Sequence, residues 1–300
     1  MHTPWGEIAV RDAHVHFFSP RFFGMLAAQR TPAAQAKDLG PVLGWEIPDT
    51  AEALAARWAG ELDRHGVEAA SLIASLPGDE DSVAAALAAV PGRFAGYFMV
   101  NPLAPDAVAR VEKALGAGLR GICFFPAMQA YSIQSAEVDT ILGAVPPGTV
   151  IFVHCGVLSV GVRKKLGLKS PFDLQFSNPA DLHAIALRYP DLRFVIPHFG
   201  AGYLREALMV CDLCPNVMLD TSSSNQWIRY HPGLTLAGVF RAELEVAGAR
   251  RLLFGTDSSF FPRGWNRPVF DQQVGALQEA GAGPDEARFI LGANLMDLLG

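Results

Sequence analysis

Apolar and polar positions along this chain follow two alternating rhythms. Short runs of Val, Ile, Leu and Phe are separated by Ala- and Leu-rich stretches in which apolar residues recur every three or four positions. The short runs predict strands at residues 8–16, 69–76, 94–100, 119–125, 150–155, 194–198, 217–220 and 251–257. The periodic stretches predict helices at 50–65, 81–90, 105–117, 136–145, 178–189, 201–214 and 236–247, with the tail 271–299 supplying the eighth. Eight strands, each followed by a helix, predict an α/β fold: a (β/α)₈ TIM barrel formed as one domain by residues 1–300. A doubly wound open sheet is the alternative, and the absence of a G-x-G-x-x-G after the first strand counts against it.

Two connections are much longer than the usual few residues, and both follow the C-terminal end of a strand, where barrels build their sites. Residues 17–48, after the first strand, contain Phe17, Phe18, Phe22, Phe23 and Trp45. Residues 156–177, after the fifth, contain Arg163, Lys164 and Lys165. An aromatic flap and a basic loop are therefore expected to cover one mouth of the barrel.

Composition narrows the class. Half of the 300 residues are hydrophobic and only 18% are charged, which suits a large core with buried parallel strands. A formal charge of −6, with no basic stripe, argues against a nucleic-acid partner. The first residues lack the pattern of a signal peptide and no uncharged apolar run is long enough to span a bilayer, so no membrane partner and a cytoplasmic location are expected. Four cysteines are too few for a disulfide scaffold. Cys211 and Cys214 form a C-x-x-C within a helix-like segment, but no second pair completes a zinc site, and the structural reading is preferred.

The chemistry concentrates at strand ends. Asp12, His14 and His16 alternate along the first strand and would share one face. His154, His198 and Asp257 each end an apolar run. A lone imidazole or carboxylate is costly to bury, so several strands ending in such residues call for a common partner, and a metal at the barrel mouth provides one.

Four motifs then resemble a known group: D-A-H-V-H at 12–16, V-H-C-G at 153–156, P-H-F-G at 197–200 and F-G-T-D at 254–257 are similar to those of the amidohydrolase superfamily. Amidohydrolase-related family 2 is the nearest group, and the branch containing aminocarboxymuconate-semialdehyde decarboxylase the nearest branch. L-R-G-I-C-F-F-P at 119–126, N-V-M-L-D-T-S at 216–222 and I-L-G-A-N at 290–294 extend the likeness over nearly the whole chain. The resemblance implies that His14, His16, His154 and Asp257 bind one divalent metal, with His198 beside it as acid/base and Asp257 able to shuttle a proton. Dinuclear relatives bridge two metals with a carboxylated Lys or a Glu, for which Cys123 and residues 124–126 offer no substitute, so a single metal is expected. Zn²⁺ is the first choice for three nitrogens and a carboxylate, with Mn²⁺ or another transition metal also compatible. Asp12, one step deeper, either orients a ligand imidazole or bonds to backbone. Asp220 is either a substrate contact or a helix cap.

Three functions are open to such a site. The first is a hydrolase that opens a small ester, lactone or amide with metal-activated water. The second is a non-oxidative decarboxylase of an unsaturated or aromatic acid, and the third a barrel that binds metal or ligand without turnover. Hydrolysis is preferred. The expected partner is a small, carboxylate-bearing molecule held by one of Arg163, Arg229 and Arg263, with Lys164, Lys165 and Arg267 also in range. A homodimer remains open.

Overall fold

All eight expected strands are present; most are shorter than the apolar runs, the second is shifted to start two residues earlier, and the seventh has the expected bounds. They are β1 Val10–Phe17, β2 Val67–Ala74, β3 Phe94–Met99, β4 Gly121–Phe124, β5 Val150–Val153, β6 Arg193–Ile196, β7 Val217–Asp220 and β8 Leu252–Leu253. The structure, a computed structural model, describes residues 1–300 apart from 31, 33, 159 and 224, so those positions of the two long connections and of the turn after β7 lie outside the described residues. Each strand pairs in parallel with the next, in strict chain order.

The last strand leaves its ladder after Leu253, yet residues 254–258 still run beside β1. The N–H groups of Ala13 and His16 donate to the carbonyls of Phe254 and Ser258, at 2.9 and 2.7 Å, and that of Asp257 donates to the His14 carbonyl at 3.0 Å. These bonds close the sheet into a barrel and set the β8 end against the histidine pair.

Side chains on the strands divide between two layers. Ala13, Ile73, Tyr97, Cys123, Phe152 and Val195 fill the barrel interior, while Val15, Leu72, Phe98, Ile122, Ile151 and Phe194 meet the surrounding helices. Burial on both faces explains why the strands read as nearly unbroken apolar runs. The outer helices start and stop where local chemistry dictates. For Ala51–His65, the Thr50 hydroxyl accepts from the Ala53 N–H at 3.0 Å, and Gly66 ends the helix at a positive φ of 69°.

The structure departs from the expected elements in several places, among them the tail 271–299, which divides into Arg267–Ala280 and, after a turn, Pro284–Arg288 and Asn294–Leu299. A short antiparallel pair, His2–Thr3 with Gly6–Glu7, precedes the barrel. The helix expected at 201–214 spans Leu204–Leu213, because the chain first makes a tight turn at 198–201. The long connections are not bare loops: the first carries helices Pro20–Ala28 and Ala36–Leu43, and the second carries Gly161–Lys165.

Those helices bury Phe22, Phe23, Leu26, Leu39, Val162 and Leu166 in a small core distinct from the two barrel layers. The two connections thus form one cap over the C-terminal mouth. Among the described residues, no helix is long and apolar enough to cross a membrane. All four cysteines are buried. Cys211 and Cys214 point their thiols at the carbonyls of Val217 and His183, and neither belongs to a group that could hold a metal among the described residues.

Candidate active site

The register of β1 decides where its polar residues point. A pairing irregularity between Asp12 and Val15 breaks the simple alternation. Ala13 packs in the barrel interior, and His14 lies against interior Phe152 with ring centroids 5.2 Å apart. His16 joins it, with the two Nε2 atoms 3.4 Å apart. Asp12 does not share their face. Its carboxylate accepts from the backbone N–H groups of His14 and Thr256, the Thr256 hydroxyl and the Trp265 indole. Asp12 therefore ties β1 to the end of β8 and orients no imidazole, contrary to one of its two expected roles. Burial pushes its carboxyl up to about 6, against those hydrogen bonds.

The imidazole-orienting carboxylate is Asp220, at the end of β7. Its Oδ2 accepts from His14 Nδ1 at 2.8 Å, leaving Nε2 facing the cavity. The Ser222 hydroxyl lies 2.9 Å from His14 Nδ1 and 2.8 Å from His198 Nδ1, linking the two rings. There is no slack here: a Cβ on Gly255 would stand 2.9 Å from the Cβ atoms of both His14 and Ser222.

His198 and Asp257 occupy strained backbone. Each follows a strand at positive φ, 58° and 57°, a conformation non-glycine residues adopt only where surrounding structure enforces it. The turn aims Asp257 Oδ1 at His16 Nε2, 3.1 Å away, and at His14 Nε2, 3.8 Å away. His154 follows β5, with its ring stacked on Phe125 and 5.2 Å from the His198 ring. Its Nε2 is buried without a hydrogen-bond partner. Such an orphaned atom costs about 1–3 kcal/mol unless something pairs with it.

Charge and burial divide the histidines. For His14, burial opposes the proton, but Asp220 beside it, aided by Asp257 and Asp12, raises its affinity overall. Burial, reinforced by His198 and His14, holds His154 well below the usual histidine range. His198 is also lowered, by burial and then by His14, against the pull of Asp257 and Asp220. Asp257 stays ionised: burial would raise its carboxyl, but the hydrogen bond and charge of His16, followed by His14 and His198, hold it well below the usual range.

Among the described residues, two sets of side chains lie close enough to share a metal, and both use His14. On its Nδ1 side are Asp220 and His198, with the Asp220 side chain 0% exposed. On its Nε2 side are His16 and Asp257, and the Asp257 side chain is 35% exposed. Only the second set opens to the cavity. The Asp220 contact is a hydrogen bond that turns the His14 ring toward it. His154 falls outside this tight set but lines the same cavity with its unpaired nitrogen. Imidazole and carboxylate donors with an orphaned neutral imidazole suit a divalent transition metal.

The cavity above these residues has a volume of about 490 Å³. The barrel supplies its polar floor of His14, His16, His154, His198 and Asp257, and the cap supplies Phe18, Phe22, Leu26, Trp45 and Val162. Of the three arginines expected to bind substrate, Arg163 and Arg263 line it. Arg229 does not: it lies on Gln226–Tyr230, against its neighbour Tyr230. Its place after β7 in sequence is carried away from the mouth by that turn.

The family profile described as amidohydrolase matches residues 11–300. The chain belongs to the amidohydrolase family. Solved structures of similar fold include a protein provisionally described as a 2-pyrone-4,6-dicarboxylic acid hydrolase from Pseudomonas putida, 17% identical, with 98% of each chain covered and a TM-score of 0.62. An uncharacterised TIM-barrel protein from Bordetella bronchiseptica is 19% identical, with 97% of this chain and 98% of that chain covered and a TM-score of 0.66. An amidohydrolase from Burkholderia multivorans with bound zinc is 18% identical over the same shares, with a TM-score of 0.62. Among curated proteins, Protein fluG of Emericella nidulans is 35% identical over 86 residues, a match spanning 29% of this chain and 10% of that protein.

Two residues of this amidohydrolase site are not assigned their part by the sequence, although both lie in its N-V-M-L-D-T-S stretch at 216–222. Asp220 stood at a strand end, where it could as well have capped a helix. Ser222 sits in a Thr-Ser-Ser-Ser run typical of turns. Only the closed barrel, which sets the end of β8 between β7 and β1, places both against His14.

Proposed function

We propose that this amidohydrolase is a mononuclear metal-dependent hydrolase of a small ester, lactone or amide. His14, His16, His154 and Asp257 would hold the metal, and His198 would serve as acid/base. The observation carrying this reading is the convergence on the cavity floor of His14 Nε2, His16 Nε2 and Asp257 Oδ1, beside the unpaired Nε2 of His154. The metal would supply Lewis-acid activation of water and of the substrate carbonyl. Zinc remains the first choice, supported by the zinc in the Burkholderia multivorans relative.

The chain's own residues do the rest. Asp220 fixes the His14 ring at Nδ1 and Ser75 fixes the His16 ring at Nδ1, 2.7 Å away, which leaves both Nε2 atoms for the metal. His198, kept neutral by burial, can take a proton from the attacking water and return it to the leaving oxygen or nitrogen. Ser222 holds His198 Nδ1, leaving its Nε2 for that transfer. The apolar cap keeps bulk water from the reacting groups.

Decarboxylation, the reaction suggested by the likeness to the aminocarboxymuconate-semialdehyde decarboxylase branch, would use the same floor. The apolar lining favours it in one respect, since a desolvated carboxylate gives up CO₂ more readily. Elemental analysis of purified protein, with turnover assays on ester, lactone and labelled-carboxylate panels, decides between them. One metal per chain and ester or lactone hydrolysis support the proposal. Two stoichiometric metals, or release of labelled CO₂ without hydrolysis, contradict it.

A further inference from the structure

We propose that the two long connections act as an electrostatic collector for an anionic substrate. The cap draws a carboxylate-bearing molecule into the cavity, a dianion faster than a monoanion and a monoanion faster than a neutral molecule of the same shape. The inference rests on the hydrolase reading only in taking this cavity as the place where substrate reacts.

Charge is unevenly spread along the chain. Residues 17–48 and 156–177 hold seven Lys and Arg against three Asp and Glu, while the rest of the chain holds 17 against 27. The cap is therefore locally positive on a protein of formal charge −6. Among the described residues, none of the seven cap cations lies within 4 Å of a carboxylate, whereas 11 of the other 17 do. The carboxylates of the cap are engaged elsewhere: Glu46 pairs with Arg57 outside it, Asp38 accepts from the Gln35 N–H, and Asp173 accepts from Gln175. Most cations of the body are neutralised in place, and those of the cap keep their field.

The positive surface continues into the cavity. On the short helix Gly161–Lys165, Lys164 is exposed while Arg163 and Lys165 line the cavity. Both of these bond only to neutral oxygens, Arg163 to the Lys169 carbonyl and Gln29 Oε1, and Lys165 to the Leu43 carbonyl. Arg263, beside the floor, donates to Ser259 Oγ and the Asp257 carbonyl. Among the described residues, three cations thus line the cavity against one carboxylate, Asp257, which belongs to the proposed metal set. Much of the remaining wall is aromatic, with Phe18, Phe22, Trp45 and Phe260, and low-dielectric walls concentrate the field of the charges set among them. Distance decides which sign an approaching anion meets. Salt screens exposed charges beyond about 10 Å at about 0.1 M, so the mouth presents the positive cap and hides most of the negative body. A field of this kind raises association rates by about 10- to 1,000-fold.

Stopped-flow binding of 2-naphthamide, 2-naphthoate and 2,6-naphthalenedicarboxylate to the metal-loaded protein, read by naphthalene fluorescence, tests the inference without requiring turnover. Association rate constants should rise with charge across the series, by at least about tenfold from amide to dicarboxylate at about 0.05 M NaCl, and the spread should collapse at about 0.5 M NaCl. Lys164→Glu with Lys169→Glu reverses two exposed cap charges that do not line the cavity. This double variant should slow association of the dicarboxylate at least about fivefold at low salt, with its dissociation rate and the metal content unchanged. Arg120→Glu with Arg250→Glu makes the same change in net charge at the opposite end of the barrel, just before β4 and β8, and should leave all rates unchanged. Equal, salt-independent rates across the series, no binding of either acid, or equal slowing by the two double variants overturns the inference. Salt-dependent binding of the acids without hydrolysis of any matching ester or lactone would leave this inference standing and count against the hydrolase. Hydrolysis of neutral and anionic esters at one salt-independent rate would do the reverse.

Discussion

On the floor of the cavity, His14 is held at Nδ1 by Asp220 and Ser222, His16 by Ser75 at 2.7 Å, and Asp12 joins β1 to the end of β8 through its hydrogen bonds. Across the cavity, the cap residues Phe22, Leu26, Leu39 and Val162 meet one another mainly through apolar contact, with few directed bonds between the two connections. The floor is fixed by angles and distances, the cap by volume. Hydrogen-bonded geometry fails when one partner moves, whereas an apolar core accepts changes of shape if volume is kept. Such a division lets the chemistry stay constant while the cap changes what is admitted.

The strongest way to break the comparison is to disturb the floor. His14→Ala should abolish both metal binding and turnover, because His14 contributes to the ligand set and links it to Asp220; elemental analysis after dialysis reads the first and kinetics the second. Full metal content would remove His14 from the set. His198→Ala should separate the two properties: metal retained, kcat lower by about 10²–10⁴-fold. Loss of metal in that variant would make His198 a ligand.

A cap substitution should behave differently. Leu26 is 1% exposed, belongs to the cap core and also lines the cavity. Leu26→Ala should cost about 2–4 kcal/mol in the cap, raise KM and leave metal content intact. Because the cap has its own core, the loss should show as earlier local opening in hydrogen exchange of Pro20–Ala28 and Gly161–Lys165. Loss of metal together with affinity would mean that floor and cap are one unit.

This division also explains what the sequence made legible. Parallel strands buried on both faces write themselves as apolar runs, and residues that end such runs must lie at the barrel mouth. Strand count, barrel and the positions of His14, His16, His154, His198 and Asp257 could be read in this way. Contacts between distant strand ends could not. Asp12 and His14 follow strict alternation in the sequence, and only the irregularity in β1 turns Asp12 toward Trp265. Arg229 and Arg263 look equivalent as loop arginines, but one turn leads away from the mouth and the other toward it. The helices of the cap were hidden for a related reason: residues 17–48 pack against residues 156–177, more than a hundred positions away, and no local period records that partner.

The smallest expected effect lies at the joint between the two regions. Ser19 caps the first cap helix by accepting from the Phe22 N–H at 3.0 Å, and its hydroxyl lies 2.8 and 2.7 Å from the two carboxylate oxygens of Asp79, in the connection after β2. Asp79 is fully buried, and burial raises its carboxyl above the usual aspartate range, despite hydrogen bonds from Ser82 and Ser19 and the charge of Arg21. The sign follows from proton linkage. Where the folded state holds its proton more tightly than the unfolded state, stability is full below the unfolded pKa, about 3.9 for aspartate, and falls as pH rises through the folded pKa. Asp79→Asn cannot ionise and should lack that component. Urea unfolding of both proteins from pH 4 upward should therefore show wild type losing stability relative to Asp79→Asn as pH increases, with metal content and kcat equal in the two. Parallel stability curves would mean that folding leaves the Asp79 pKa unshifted, and wild type gaining stability over Asp79→Asn with rising pH would mean that the carboxylate is ionised in the joint and anchors the cap to the floor by charge, in which case the two regions are less separate than their packing makes them.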